Sequence, residues 1–130
     1  VTSVVIVGGG PGGYEAALVA AQLGADVTLI EQTGIGGSAV LTDCVPSKAL
    51  VAVADAARAT VDSAGLGVRV RGAAVELDDV SLDLGAVNRR ILDLAYAQSS
   101  DIAARLERDG VRIVEGRGVL AGPSRVLAVT

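Results

Sequence analysis

Two groups of residues in this chain could do chemistry. Gly8, Gly10 and Gly13 follow the apolar run Val4–Val7 in the spacing G-x-G-x-x-G, and Glu31 stands roughly twenty residues beyond them. The second group is Cys44-Val45-Pro46-Ser47-Lys48, which holds the only sulfur and the only lysine of the chain. The glycines suit a pyrophosphate. The first permits a tight turn off a strand, the second lets the backbone approach the ligand, and the third lets the following helix pack closely. The start of that helix, with Pro11 and Gly12 between the glycines, turns unpaired N–H groups and a positive dipole end toward the phosphates. Glu31 can accept hydrogen bonds from both hydroxyls of a ribose. It would repel a 2′-phosphate, so the site favours FAD or NAD over NADP.

A bare G-x-G-x-x-G is also met in plain glycine-rich turns. Here the elements that must position it fall in register. Val4–Val7 is β-branched and reads as a strand buried on both faces. A helix follows and ends at Gly24, and Val27–Ile30 forms the next strand, closed by Glu31. Ala17, Gly24 and Val27 are small or β-branched where the helix must lie close to the sheet. The stretch after Glu31 carries Gly34, Gly36 and Gly37 and reads as a second glycine loop at the strand's C-terminal end, the ligand edge of such sheets. Two glycine loops side by side imply a long ligand, which FAD fits better than a mononucleotide.

Leu50, Val53, Ala54, Ala57 and Val61 recur at helical spacing, and Pro46 is tolerated in a first turn. Cys44 therefore lies at a helix N-terminus. The positive helix end favours a thiolate there and the neighbouring Asp43 opposes it. The bland alternatives are an inert cysteine and a solvated lysine.

The segment Gly36-Gly37-Ser38-Ala39-Val40-Leu41-Thr42-Asp43-Cys44-Val45-Pro46-Ser47-Lys48 resembles the redox segment of the pyridine nucleotide–disulfide oxidoreductases, which include dihydrolipoyl dehydrogenase, glutathione reductase and mercuric reductase. Together with the glycine fingerprint, the resemblance covers nearly the whole chain. It implies an α/β, Rossmann-like FAD-binding domain, with a parallel sheet, flanking helices and a small β-hairpin at its end. It implies that Gly8, Gly10, Pro11, Gly12, Gly13, Glu31, Gly36, Gly37, Ser38, Cys44, Lys48 and the backbone near Gly118 contact FAD. Cys44 would lie under the flavin as the catalytic candidate. Lys48 would lie near the flavin N5, where a cation stabilises the reduced form.

One departure bears on function. The family's first redox cysteine falls on Ala39, and alanine does no thiol chemistry. Electrons could not then cross an internal dithiol to a disulfide substrate. The chain is most similar to actinobacterial-type members lacking that cysteine, which implies an NAD(P)H:quinone reductase that passes hydride from NAD(P)H to FAD and two electrons on to a quinone. The alternatives are a dihydrolipoyl dehydrogenase drawing a sulfur from elsewhere, or a non-catalytic FAD- or NAD-binding module.

The remaining sequence frames these groups. The chain has 130 residues, 51% of them apolar and built on Ala, Val and Leu, with no Phe, Trp, Met or His. The net charge of −4 argues against a nucleic-acid or anionic-membrane surface. No apolar run approaches the roughly 20 residues of a membrane span, no secretion signal is visible, and a single cysteine fits a cytoplasmic location. Val68–Asp79 reads as a connection. Ser81 or Asp83 caps a helix about 40 Å long at 1.5 Å per residue, striped by Leu84, Val87, Ile91 and Leu94, resumed by Ile102 and Leu106 after Gln98, and stopped at Gly110. Val111–Glu115 reads as a third parallel strand, and Val119–Ala121 with Val126–Val129 as a hairpin. Residues 1–130 are expected to be an incomplete FAD-binding domain of a longer homodimeric protein whose NAD(P)H-binding and dimerisation domains follow.

Overall fold

The computed structural model describes residues 1–130. Strand β1 (Ser3–Val7) leads through the first glycine turn into α1 (Pro11–Gln22), and β2 (Asp26–Glu31) returns beside β1. A short helix α2 (Gly37–Leu41) precedes α3 (Cys44–Asp62), which tightens into a 3₁₀ turn at Ser63–Leu66. The long helix α4 (Leu84–Arg108) leads into β3 (Arg112–Glu115), and β4 (Arg117–Leu120) and β5 (Val126–Val129) close the described chain. The strands form a parallel sheet in the order β1-β2-β3, with Val7 level with Ile30 and Glu31 level with Glu115. The β4–β5 pair is a separate antiparallel hairpin.

This register follows from the apolar pattern. The middle strand β2 buries Val27, Leu29 and Ile30. α1 lays Ala17 and Leu18 on it, and Ile35, Leu106 of α4 and Val111 complete the cluster. Small residues at Ala17 and Ala20 let α1 come close. α1 ends as read from sequence: Gly24 takes φ +85, and the Ala25 N–H donates back to the Ala20 carbonyl, a left-handed helix cap. Asp83 caps α4 by accepting from the Ala86 N–H at 2.9 Å. α4 runs unbroken to Gly110, which takes φ +84.

Three expectations change. β1 is not buried on both faces: Val4 and Ile6 pack on the core, while Val5 and Val7, which alternate onto the opposite face, are 46% and 49% exposed. The second glycine loop closes into α2 from Gly37 onward, because Ser38-Ala39-Val40-Leu41 has no breaker and Val40 finds a buried seat. The third concerns membrane-length apolar runs. Gly37–Leu66 has the length and composition for a span, with mean hydropathy of 1.2 in its most apolar window. It is broken at Thr42–Asp43, where Asp43 leaves helical geometry, and carries Asp43, Lys48, Asp55, Arg58 and Asp62. Those charges would be costly in hydrocarbon.

Candidate functional site

The site begins at the C-terminal end of β1, where the chain must turn sharply to enter α1. Gly8 does so at φ +99, while its N–H still donates to the Ile30 carbonyl and keeps the sheet pairing. A Cβ on Gly13 would meet the Gly8 carbonyl oxygen at 1.8 Å, so the third glycine lets α1 dock against the turn itself. A Cβ on Gly10 or Gly12 would meet nothing. Those two glycines face open space, as a surface reserved for a ligand requires. Pro11 occupies the first helical position, where no N–H is needed. The Gly12 and Gly13 N–H groups have no acceptor in the chain, as helix geometry dictates for a first turn.

The second glycine loop lies directly on the first. The Gly36 N–H donates to the Gly9 carbonyl at 2.8 Å, and a Cβ on Gly37 would stand 3.0 Å from the Gly10 Cα. Gly36 and Gly37 take φ +99 and +58, so two consecutive left-handed residues make the approach. Ser38 follows, exposed, in the first turn of α2.

Glu31 closes β2 beside both turns. Its Oε2 accepts from the Gly9 N–H at 2.6 Å; its Oε1 accepts from the Thr33 N–H at 2.7 Å, the Thr33 hydroxyl at 2.8 Å and the Gly34 N–H at 3.3 Å. Partial burial pushes its pKa up, but the hydrogen bonds from Gly9, Thr33 and Gly34 together outweigh that and hold the carboxyl below its ordinary range. Oε1 is saturated, which leaves one acceptor direction on Oε2. The expectation of two ribose hydroxyls on Glu31 is therefore narrowed to one in this arrangement. Thr33 and the Gly9 N–H were not singled out from the sequence; a short hydroxyl residue two positions after a strand-ending acid was the available signal.

Gly118 joins the same place from β4. A Cβ there would strike the Val7 side chain at 2.7 Å, and the Gly116 N–H donates to the Glu31 carbonyl at 2.8 Å. Gly8, Glu31 and Gly118 line one cavity of about 360 Å³ with Val7, Thr33 and Arg117. The first turn of α1 offers the unpaired Gly12 and Gly13 N–H groups, and this cavity offers the hydrogen-bonded Glu31 carboxylate, a pairing that suits a ligand with an anionic centre and a hydroxyl-bearing ring.

Cys44 and Lys48 stand apart from that cavity. Both are exposed, at the N-terminus and one turn into α3, on the same helix face. The five-residue α2, about 8 Å long at 1.5 Å per residue, joins them to the glycine turns. Ala39 lies half-buried within α2. Cys44 is the sole thiol of the chain and forms no disulfide.

Comparison with known proteins gives a consistent picture. The family model described as pyridine nucleotide-disulphide oxidoreductase matches residues 2–127. The NAD(P)H dehydrogenase (quinone) of Mycobacterium tuberculosis strain H37Rv is 44% identical over 136 residues, covering 98% of this chain and 26% of the relative. The dihydrolipoyl dehydrogenase of Pseudomonas aeruginosa is 36% identical over 118 residues, covering 88% and 24%. Among solved structures, LpdA from Mycobacterium tuberculosis superposes with a TM-score of 0.83 at 42% identity, covering 95% of this chain and 25% of its own. The HOCl-induced flavoprotein disulfide reductase RclA from Escherichia coli superposes at 0.69 with 18% identity, covering 98% and 24%, and shares the fold. The chain spans about a quarter of the length of the curated relatives it matches.

Proposed function

The chain belongs to the pyridine nucleotide-disulphide oxidoreductase family, and on that premise we propose that it is the FAD-binding part of an NAD(P)H-dependent oxidoreductase that reduces a quinone without an active-site disulfide. The observation that carries the reading is the packing of two glycine turns into one backbone surface, ending in Glu31 on one side and leading through α2 to Cys44 on the other. A single nucleotide would need only the first turn.

The residues present fit FAD. Gly10 and Gly12 leave a cradle that a side chain would fill, Gly8 and Gly13 set the turn and the docking of α1 beside it, and the α1 N-terminus supplies donors and positive potential to a pyrophosphate. Pro11 fixes the first turn of that helix. Glu31 would hold the ribose, the backbone near Gly118 the adenine, and Gly36, Gly37 and Ser38 the stretch of the cofactor that leads toward Cys44 and Lys48. FAD, when bound, supplies hydride acceptance from NAD(P)H and two-electron delivery to the acceptor. The Lys48 ammonium holds positive charge at the flavin end. Ala39 removes the thiol that a dithiol relay would need, so Cys44 serves there as a packing and polarising neighbour of the flavin. Residues 1–130 form an incomplete domain in this reading, with NAD(P)H binding and homodimerisation contributed by other parts of a cytoplasmic protein.

The test uses the full-length protein, reduced anaerobically with NADPH and followed at the flavin absorption bands. Rapid reoxidation by a quinone, with none by lipoamide, is the expected result. Equal reoxidation by lipoamide would reveal a thiol relay and restore a dihydrolipoyl dehydrogenase. A protein that binds no flavin would end the reading altogether.

A further inference from the structure

The apolar stripe of α4 is interrupted in the sequence between Leu94 and Ile102, and the structure places Ser99 in that gap. Ala95 and Leu106, one turn before and two turns after it, are fully buried, and Ile102 and Ala103 pack on the core. This half of α4 is thus fixed against the sheet. A serine hydroxyl inside a helix commonly bonds the carbonyl one turn back. Ser99 instead donates its Oγ proton to the Ile35 carbonyl at 2.5 Å, across 64 residues of sequence.

The Ile35 carbonyl and the Gly36 N–H belong to one peptide unit, and in a trans peptide they point in opposite directions. The carbonyl accepts from Ser99 and from no backbone N–H, and the N–H donates to the Gly9 carbonyl at 2.8 Å. This peptide is therefore a strut between α4 and the first glycine turn. It leads straight into Gly36 and Gly37, at φ +99 and +58. Two successive glycines have wide conformational freedom, so their left-handed turn must be set by anchors outside it. Ile35 itself is buried, with its Cδ1 against Gly9.

We propose that Ser99 is a positioning residue of the dinucleotide site: by holding the Ile35–Gly36 peptide it keeps the second glycine turn seated on the first. The inference rests on the FAD reading above and adds to it a residue remote from the ligand in sequence and outside both motifs. The cavity beside Ser99, about 410 Å³ and lined also by Ile35, Ser100 and Ala103, has room for water and for an added methyl group.

The test is FAD binding to the full-length apoprotein, followed by quenching of flavin fluorescence, for wild type, Ser99→Ala, Ser99→Thr and Ser100→Ala. Losing the sole donor to a buried carbonyl, partly replaced by water, should weaken FAD binding about 3- to 10-fold in Ser99→Ala. Ser99→Thr, which keeps the hydroxyl, and Ser100→Ala, which removes a neighbouring hydroxyl with no partner, should both stay within about twofold of wild type. Wild-type affinity in Ser99→Ala would overturn the proposal and leave the FAD reading intact. Equal weakening in Ser100→Ala, or no recovery in Ser99→Thr, would assign the effect to helix packing and overturn it as well. Absence of FAD binding in the wild type would remove both readings together.

Discussion

At Gly13 an added methyl group would stand 1.8 Å from a backbone oxygen; at Cys44, some thirty residues later, the side chain is exposed and α3 buries no residue at all. The first glycine turn and the start of α3 are two stations on the proposed cofactor path, and they are held in different ways. The turn is defined by backbone: Gly8 on Ile30, Gly9 on Glu31, Gly36 on Gly9, with every contact inside this chain. At the start of α3 the candidate groups are side chains, Cys44 and Lys48, both exposed, with Lys48 in neither ion pair of the chain. Nucleotide binding asks for a preformed surface of donors and acceptors, which is costly to disturb. Redox tuning asks for a few side chains beside the reacting ring, and these are individually replaceable.

The largest effect expected from that contrast is at Gly13. Gly13→Ala should force α1 off the turn, with a loss of about 3 kcal/mol or more and a flavin-free full-length protein, measured by thermal unfolding and by flavin content. Gly10→Ala is its sharpening partner. Gly10 sits at φ −69 and its Cβ would meet no atom of the chain. Stability should hold within about 0.5 kcal/mol. FAD affinity should drop about tenfold or more, because the methyl enters the cradle. Equal stability losses in the two variants would break the distinction between packing glycine and ligand glycine.

Glu31→Gln comes next. An amide N–H₂ would face donors on one side, so stability should fall by about 1–3 kcal/mol and FAD affinity should fall with it. The pH dependence has a definite sign. The folded carboxyl titrates below its ordinary value of 4.5, so Glu31's contribution is fully present above that pH and is lost as the pH falls through the folded value. The stability gap between wild type and Glu31→Gln should therefore narrow in acid unfolding curves taken below pH 4.5. A gap that stays constant would show that the hydrogen bonds do not stabilise the charged form.

Cys44→Ser tests the other end. The residue is exposed, so stability should change by no more than about 0.5 kcal/mol. In the full-length protein, NADPH-dependent quinone reduction should remain within about tenfold of wild type, since no thiol exchange lies on the path. Abolished quinone turnover would make Cys44 chemically essential. The smallest effect is expected at Thr33→Val, which removes one exposed donor from an oxygen that keeps two others: about 0.5 kcal/mol, read by thermal unfolding.

Much of this was legible in the sequence, at particular places. The turn at Gly8–Gly13 and the strand–helix–strand unit around it were readable because a glycine fingerprint, a β-branched run and an acid at the strand end each carry local information. Gly24 and Gly110 marked helix ends by local chemistry alone, whereas the start of α4 stood between Ser81 and Asp83 until the bond from the Ala86 N–H to Asp83 decided it. Ala39 in place of a thiol is a fact of composition that no fold can alter. What tertiary structure decided lies in contacts between distant residues. The one-sided exposure of β1 depends on which elements pack over each of its faces. The division of Glu31's acceptors depends on Gly9, 22 residues away, reaching the same carboxylate as Thr33. The bond from Ser99 to Ile35 depends on α4 crossing behind the second glycine turn, 64 residues from its partner. Local residue types and spacings set the elements and their chemistry, because turns, caps and strands form from neighbours in the chain. Which lone pairs remain free, and which loop is anchored, emerged only when packing brought separate elements within hydrogen-bonding distance.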